Sequence, residues 1–314
     1  VAAMSTVSLS NLLSTQLQAL TTAQIAGLSS QQLVDLSTTT LKNLASSQIT
    51  AIETTDVSVL STVQLLALSS TQLRALNTAQ VVELTSDQLA GLSSSAVTAL
   101  TTQQLSVLTD TERNYLDVAS IAALGSSQIA GLTTTQFAGL STTAIASLNT
   151  STVSNLTTAQ IAALTTDQAL NLTTTTIKAL TSKQIAVLET SDLEQLTSSN
   201  IAILSSVQLQ ALTTSQVAGL STQQVFEMNT TTLQALTTRQ IAALETRDVA
   251  VLGTTSIEML LTTQLQALTA AQIGGLTSQQ VFDLSTASLR LLTTTQIVAL
   301  ESSDLAVLGT ASIE

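Results

Sequence analysis

Histidine, cysteine, tryptophan and proline are all absent from this 314-residue chain, and aromatic residues make up only 1% of it. Without His and Cys, no Ser-His-Asp or Cys-His nucleophile and no zinc site built on those residues can form within the sequence. Disulfide stapling is excluded too, which fits either a cytosolic or an extracellular compartment. Ordinary cores lean on aromatic side chains that bury about 150–250 Å² each. Here the interior must be a thin, uniform column of Leu, Ile, Val and Ala. Charged residues reach only 9%, against roughly 25% in ordinary soluble domains. The polar surface is therefore mostly Ser, Thr and Gln.

Further absences narrow the function classes. A net charge of −12 with 8 Lys and Arg argues against nucleic acid, because phosphate binding needs clustered cations. No segment approaches the roughly 18 consecutive apolar residues of a membrane span. Val1 onward shows neither the basic start nor the apolar run of a secretory signal. No Gly-rich phosphate loop occurs. Paired carboxylates could hydrolyse glycosides only across a cleft, and a regular rod offers none. The expectation is a protein that is not an enzyme and carries no cofactor.

What the chain has is phase. Every eighth residue from position 4 to 308 is Leu, except Met4, Ile52 and Met228, and no octad gains or loses a residue. A second column lies three residues before each leucine, from Val1 to Ile313. It is aliphatic or Phe everywhere except Arg113 and Ala169. Such phase-keeping marks a solenoid, in which each unit is one step stacked on the last. A continuous α-helix would rotate the stripe by about 80° per octad. A continuous strand would throw the two columns onto opposite faces, because three is odd. The chain must therefore bend once per octad.

The polar residues say where. In Leu156–Leu164, Leu-Thr-Thr-Ala-Gln-Ile-Ala-Ala-Leu, Thr157 and Gln160 form the S/T-x-x-Q capping box of a helix N-terminus. The pair recurs as Thr21/Gln24, Ser69/Gln72, Thr213/Gln216 and Thr237/Gln240. The spacing predicts a helix of about one and a half to two turns per octad, with Ile and Leu as inward i, i+3 neighbours. The residue after the cap is Ser or Thr at all octads but those of Asp110, Val118 and Ala270. One cap explains one hydroxyl. The second is read as an alternative cap or a bond back across the corner, or else as a hydroxyl ladder facing solvent or another chain.

The fold class expected is all-α, a solenoid of very short helices, with a β-solenoid as the alternative. Thr, Val and Ile would favour strands. Tight β corners, however, want Gly, Asn or Asp at positive φ, and the 10 glycines form no column. Helices this short are unstable alone, so each step must depend on its neighbours. The expected organisation is one continuous array over residues 1–314, in phase at both ends without polar caps. That reads as a window on a longer array whose targeting and anchoring segments lie outside it.

A longer period is superposed. Gln224-Val-Phe-Glu-Met returns 56 residues later as Gln280-Val-Phe-Asp-Leu, and Leu244-Glu-Thr-Arg-Asp-Val as Leu300-Glu-Ser-Ser-Asp-Leu. Seven octads thus make a superunit, read as a repeating contact with a neighbouring chain, as the return of the coil to one azimuth after two turns of about 3.5 octads, or as a recent duplication. Once per superunit an acidic pair appears: Glu53/Asp56, Glu189/Asp192, Glu245/Asp248 and Glu301/Asp304, with Asp110 and Glu112 near the matching place. Carboxylates at a corner and at N3 suit a helix N-terminus. A Ca²⁺ ion, the second reading, wants six to eight oxygens, more than two residues offer. Asn149, Asn155, Asn171 and Asn229 begin N-x-S/T triplets, as a Thr-rich chain produces by chance. The octad of Arg113, Asn114 and Tyr115 breaks the pattern most, as a lateral contact or a drifted copy.

The consensus Leu-Thr-Thr-x-Gln-Ile-x-Ala, as in Leu156–Ala163 and Leu236–Ala243, resembles octapeptide arrays of large bacterial surface or secreted proteins. Those arrays are often labelled haem-utilisation or adhesion proteins. The resemblance spans the whole chain through one low-complexity motif, and it implies an extracellular, fibrous or adhesive role. Haem finds no support in the residues: the usual His and Cys ligands are missing, leaving Tyr115 and three Met. The function expected is a structural protein that forms or extends an extracellular bacterial filament, with copies of itself as partner. The alternative is an adhesin stalk, or a glycan- or ice-binding surface.

Overall fold

The structure is a computed structural model that describes residues 5–308. Val1, Met4 and Ile313, the outermost members of the two apolar columns, lie outside them. Two compact units are formed, Val1–Ala163 and Leu164–Glu314. Each is an all-α solenoid of short helices, one per octad; among the described residues there is no strand. A typical step runs Thr158–Ala162 or Thr238–Ala243, and one step, Thr54–Val59, is a 3₁₀-helix. No described helix is long and apolar enough to cross a membrane.

The bend is made by two consecutive extended residues, the register leucine and the cap. Leu76 has φ −58° and ψ 129°, and Asn77 has φ −75° and ψ 166°. Leu44 and Ala45 repeat the geometry with ψ 140° and 157°. No described residue, glycine included, has a positive φ. Ordinary L-residues adopt these angles without strain, which explains why the corner has no glycine column. The capping boxes form as expected: Thr157 Oγ1 accepts from Gln160 N–H at 3.1 Å, and Gln160 Oε1 accepts from Thr157 N–H at 3.0 Å.

Both apolar columns point inward. Val57, Leu65, Val81, Leu89 and Ile129 are wholly buried, each removal from water being worth about 1.5–3 kcal/mol. The exceptions in the inner column are Ile297 and Leu305, 40% and 48% exposed in the last described coil. Within a unit, each helix packs on the helix three octads further on, as Ser94–Ala99 does on Val118–Ala123 and Thr166–Leu170 on Thr190–Gln195. Hydrogen bonds reach a fourth octad, linking residues 28 and 31 apart. A step seated between neighbours three and four octads away gives a coil near 3.5 octads. Two such coils make the 56-residue superunit.

Candidate functional site

The most repeated polar device is the glutamine at N3. Its side chain does more than close the capping box. Gln80 is fully buried. Its Oε1 accepts from Asn77 N–H at 2.9 Å, while Nε2 donates to the carbonyls of Ile49 and Ile52 at 3.1 and 2.7 Å. Gln104 makes the same bonds to Leu73 and Leu76, Gln160 to Ile129 and Leu132, and Gln240 to Leu209 and Leu212. A five-residue helix leaves most of its terminal N–H and C=O groups without intrahelical partners. One carboxamide therefore serves the N-terminus of its own helix and the C-terminal carbonyls of the coil before it.

Where the column holds Asp, the nitrogen donor is lost and a different bond replaces it. Ser30 Oγ donates to Asp56 Oδ1 at 2.6 Å, Thr166 to Asp192 at 3.3 Å, Thr222 to Asp248 at 2.9 Å and Ser278 to Asp304 at 3.2 Å. All four donors belong to the second hydroxyl column, 26 residues upstream. At these places, and at Ser94, which accepts from Ser120 Oγ at 3.3 Å, that column bonds across the coils while its members stay exposed or half-buried. Thr62, Thr102, Thr190 and Thr246 instead set a methyl within about 2.1 Å of where a Cβ on Gly91, Gly131, Gly219 and Gly275 would stand. The second hydroxyl residue thus faces the next coil.

The acidic pairs are split by the fold. Asp56, Asp192, Asp248 and Asp304 are buried, whereas Glu53, Glu189, Glu245 and Glu301 are exposed at the corner. Glu53, Glu189 and Glu245 make no side-chain cap bond. Among the described residues no three acidic, His or Cys side chains gather as a metal would require. Burial pushes the carboxyl of Asp192 above its usual range, against the Thr166 hydroxyl and with the nearby Glu189 charge. Burial does the same at Asp248, opposed by the Thr222 hydroxyl and Arg247. In both, Oδ2 is buried without a partner, the costly condition for a polar atom.

The irregular octad is a real departure. Arg113 occupies the inner aliphatic column and is 3% exposed. Its Nη1 donates to Leu108 O at 2.7 Å, and Nη2 pairs with Asp110. Gly139 leaves room for that ion pair: a Cβ there would lie 3.3 Å from Asp110 Oδ1 and 3.4 Å from Arg113 Nη2. Glu112 takes over the capping role, accepting from Thr109 N–H at 2.6 Å. Tyr115 is 41% exposed. A cavity of ≈ 370 Å³ adjoins Arg113, Leu116, Ser141 and Ala144.

The asparagines of the chance N-x-S/T triplets have backbone work in the fold. Asn149 and Asn229 are N-caps, accepting from Thr152 and Thr232 N–H at 2.9 Å. Asn155 and Asn171 close helix C-termini onto Ser151 O and Asp167 O at 2.8 Å. Outward-facing Phe226 and Phe282, 58% and 56% exposed, were not singled out beforehand, although they stand one superunit apart in the sequence.

The stretches 49–86, 185–222 and 241–278 match the model of the ALTTAQ repeat family. The second and third matches begin 56 residues apart, in step with the superunit. None of the curated proteins matches the chain. The chain is a repeat protein with a helical solenoid architecture, and about a third of it is similar to the ALTTAQ repeat.

Proposed function

We propose that this chain is a structural protein, extending an extracellular bacterial fibre by stacking its repeats and associating with copies of itself. The observation that carries the reading is the pair Phe226 and Phe282. These large apolar side chains are exposed and stand 56 residues apart, two coils of the second unit, which returns a residue to the same side. A pair of aromatic side chains repeated at the superunit spacing, among other exposed apolar residues such as Val207 and Val298, is what lateral association can use. The split acidic pairs and the backbone roles of the asparagines leave the repeat faces, not a catalytic cleft, as the chemistry on offer. A glycan- or ice-binding surface would use the second hydroxyl column as an unbroken ladder, and once per superunit Ser30, Thr166, Thr222 and Ser278 interrupt it by giving their hydroxyls to aspartates of the next coil.

Sedimentation velocity over a hundredfold concentration range, with electron microscopy of the same samples, tests the proposal. Wild type should form laterally associated or filamentous species, and the double variant Phe226→Ser, Phe282→Ser should shift to monomer while keeping its helical circular dichroism. A wild type that stays monomeric throughout would sink the reading.

A further inference from the structure

The charges of the second unit are sorted by side. Apart from Glu258, every acidic residue between positions 164 and 308 falls in the octads of Asp167, Glu189, Glu227, Glu245, Asp283 and Glu301. Those octads follow one another three, four, three, four and three steps apart. In a coil near 3.5 octads that alternation returns each time to the same azimuth. The packing agrees: Thr222–Phe226 lies on Thr246–Val251, and Ser278–Phe282 lies on Ser302–Val307 and on Thr254–Glu258, the helix that carries Glu258. Phe226 and Phe282 stand on this acidic face, each next to an exposed carboxylate, Glu227 or Asp283. Gln223 and Gln279 donate to those carboxylates from one turn earlier and hold them beside the rings.

The cations lie elsewhere. Lys178, Lys183, Arg239 and Arg290 are exposed and sit one or two octads after an acidic one, between roughly a third and three fifths of a turn round the coil. Within the same residues only Arg247 shares the acidic face, where it pairs with Glu245 at 2.7 Å. Lys183 and Arg239 are 56 residues apart, as Phe226 and Phe282 are. Between them comes Val207, three octads after Lys183 and four before Arg239, and 67% exposed. Its helix, Ser206–Ala211, packs on Ser182–Ile185, which carries Lys183. The octads of Lys183, Val207 and Arg239 contain no acidic residue.

Two faces of one unit thus carry opposite charge and repeat at the same pitch of two coils. We propose that the ridge of Phe226, Glu227, Phe282 and Asp283 on one copy docks against the stripe of Lys183, Val207 and Arg239 on the next. The inference rests on the self-association proposed above and names the two faces that meet. An ammonium or guanidinium group is attracted to an aromatic face and here pairs with the carboxylate beside it. The ridge docked on itself would set Glu227 and Asp283 against carboxylates of the other copy, in a chain whose net charge is already −12; like charges brought together across an interface are disfavoured. A contact between two different faces does not close on itself, so copies add side by side without limit.

Sedimentation velocity on the full chain tests this with two charge reversals at exposed positions, each checked for unchanged helical circular dichroism. Glu227→Lys with Asp283→Lys gives the ridge the sign of the stripe; Lys183→Glu with Arg239→Glu gives the stripe the sign of the ridge. Each variant alone should associate about tenfold more weakly than wild type. An equimolar mixture should recover association, because each variant then finds its complement. In wild type, association should weaken as ionic strength rises, an arm that needs no variant. A wild type that stays monomeric sinks self-association and this docking with it. A wild type that associates, with the Lys183→Glu, Arg239→Glu variant associating equally well, leaves self-association standing and overturns the docking of opposite faces. A mixture no better than either variant alone, or wild-type association strengthened by salt, overturns it too.

Discussion

Gln80 and Ala144 occupy the same position in two octads of the same unit, and the chain around them behaves differently. Around Gln80 every capping and carbonyl group is answered, and the inner-column residues Val57, Val81 and Leu89 are wholly buried. Around Ala144 the inner column carries Arg113, no carboxamide reaches the preceding coil and a cavity forms. The apolar columns close the coil with or without the carboxamide, since Val97, Val153 and Ile177 are wholly buried beside Ala96, Thr152 and Thr176. What the carboxamide adds is hydrogen bonds to the preceding coil, because helices of about five residues have more orphan backbone groups than their caps can satisfy.

The sharpest way to break the comparison is to make the first region resemble the second. Gln80→Ala should strand the Asn77 N–H and the Ile52 carbonyl and leave a void. The expected loss is about 2–4 kcal/mol, measured by urea denaturation. Hydrogen exchange should locate the damage at the Asn77 amide; unchanged protection there would refute the ladder's role.

Next in size is repair of a mismatched rung. Asp248→Gln should gain about 1–2 kcal/mol at pH 7 by replacing a buried carboxylate with the amide that bonds elsewhere to the preceding coil. Because Asp192 and Asp248 are raised above their unfolded values, the stability they contribute is fully present below the unfolded pKa. It is lost as pH rises through the folded value. Wild type should thus lose stability at these two sites as pH rises from about 4 through their raised folded values, and Asp248→Gln should flatten part of that slope. Asp117 runs the other way: its lowered pKa contributes stability above the unfolded value that is lost on acidification. A wild-type melting temperature that climbs steadily with pH across this window would contradict the assignment.

Smaller still is the cap itself. Thr237→Ala removes the hydroxyl that accepts from Gln240 N–H at 3.3 Å but leaves the Gln240 bracket intact. A loss of about 1 kcal/mol is expected in thermal melts, clearly below that of Gln80→Ala. Equal losses would mean that the cap, not the bond between coils, is the main contribution of the box.

Much of this was legible beforehand. The octad period, the short helices, the S/T-x-x-Q boxes and the inward columns all follow from local preferences and burial, which residue type records directly. Coils near 3.5 octads were suggested only by the 56-residue superunit. The second donation of glutamine was invisible, because its partners lie 28 and 31 residues away and any carbonyl reads alike in a sequence. The burial of Asp248 beside an exposed Glu245 was hidden for the same reason. Three residues apart on a helix suggests one shared face, yet N3 turns toward the preceding coil and the corner toward water.

The chain by itself determined a step: one bend at each Leu-Ser/Thr corner, one capped helix, and two aliphatic columns that must leave water. How the steps close was decided only in three dimensions. The coil length depends on small angles accumulated at each extended corner and on neighbours three and four octads away. Those neighbours alone decide which hydroxyls meet aspartates and which glycines face threonine methyls.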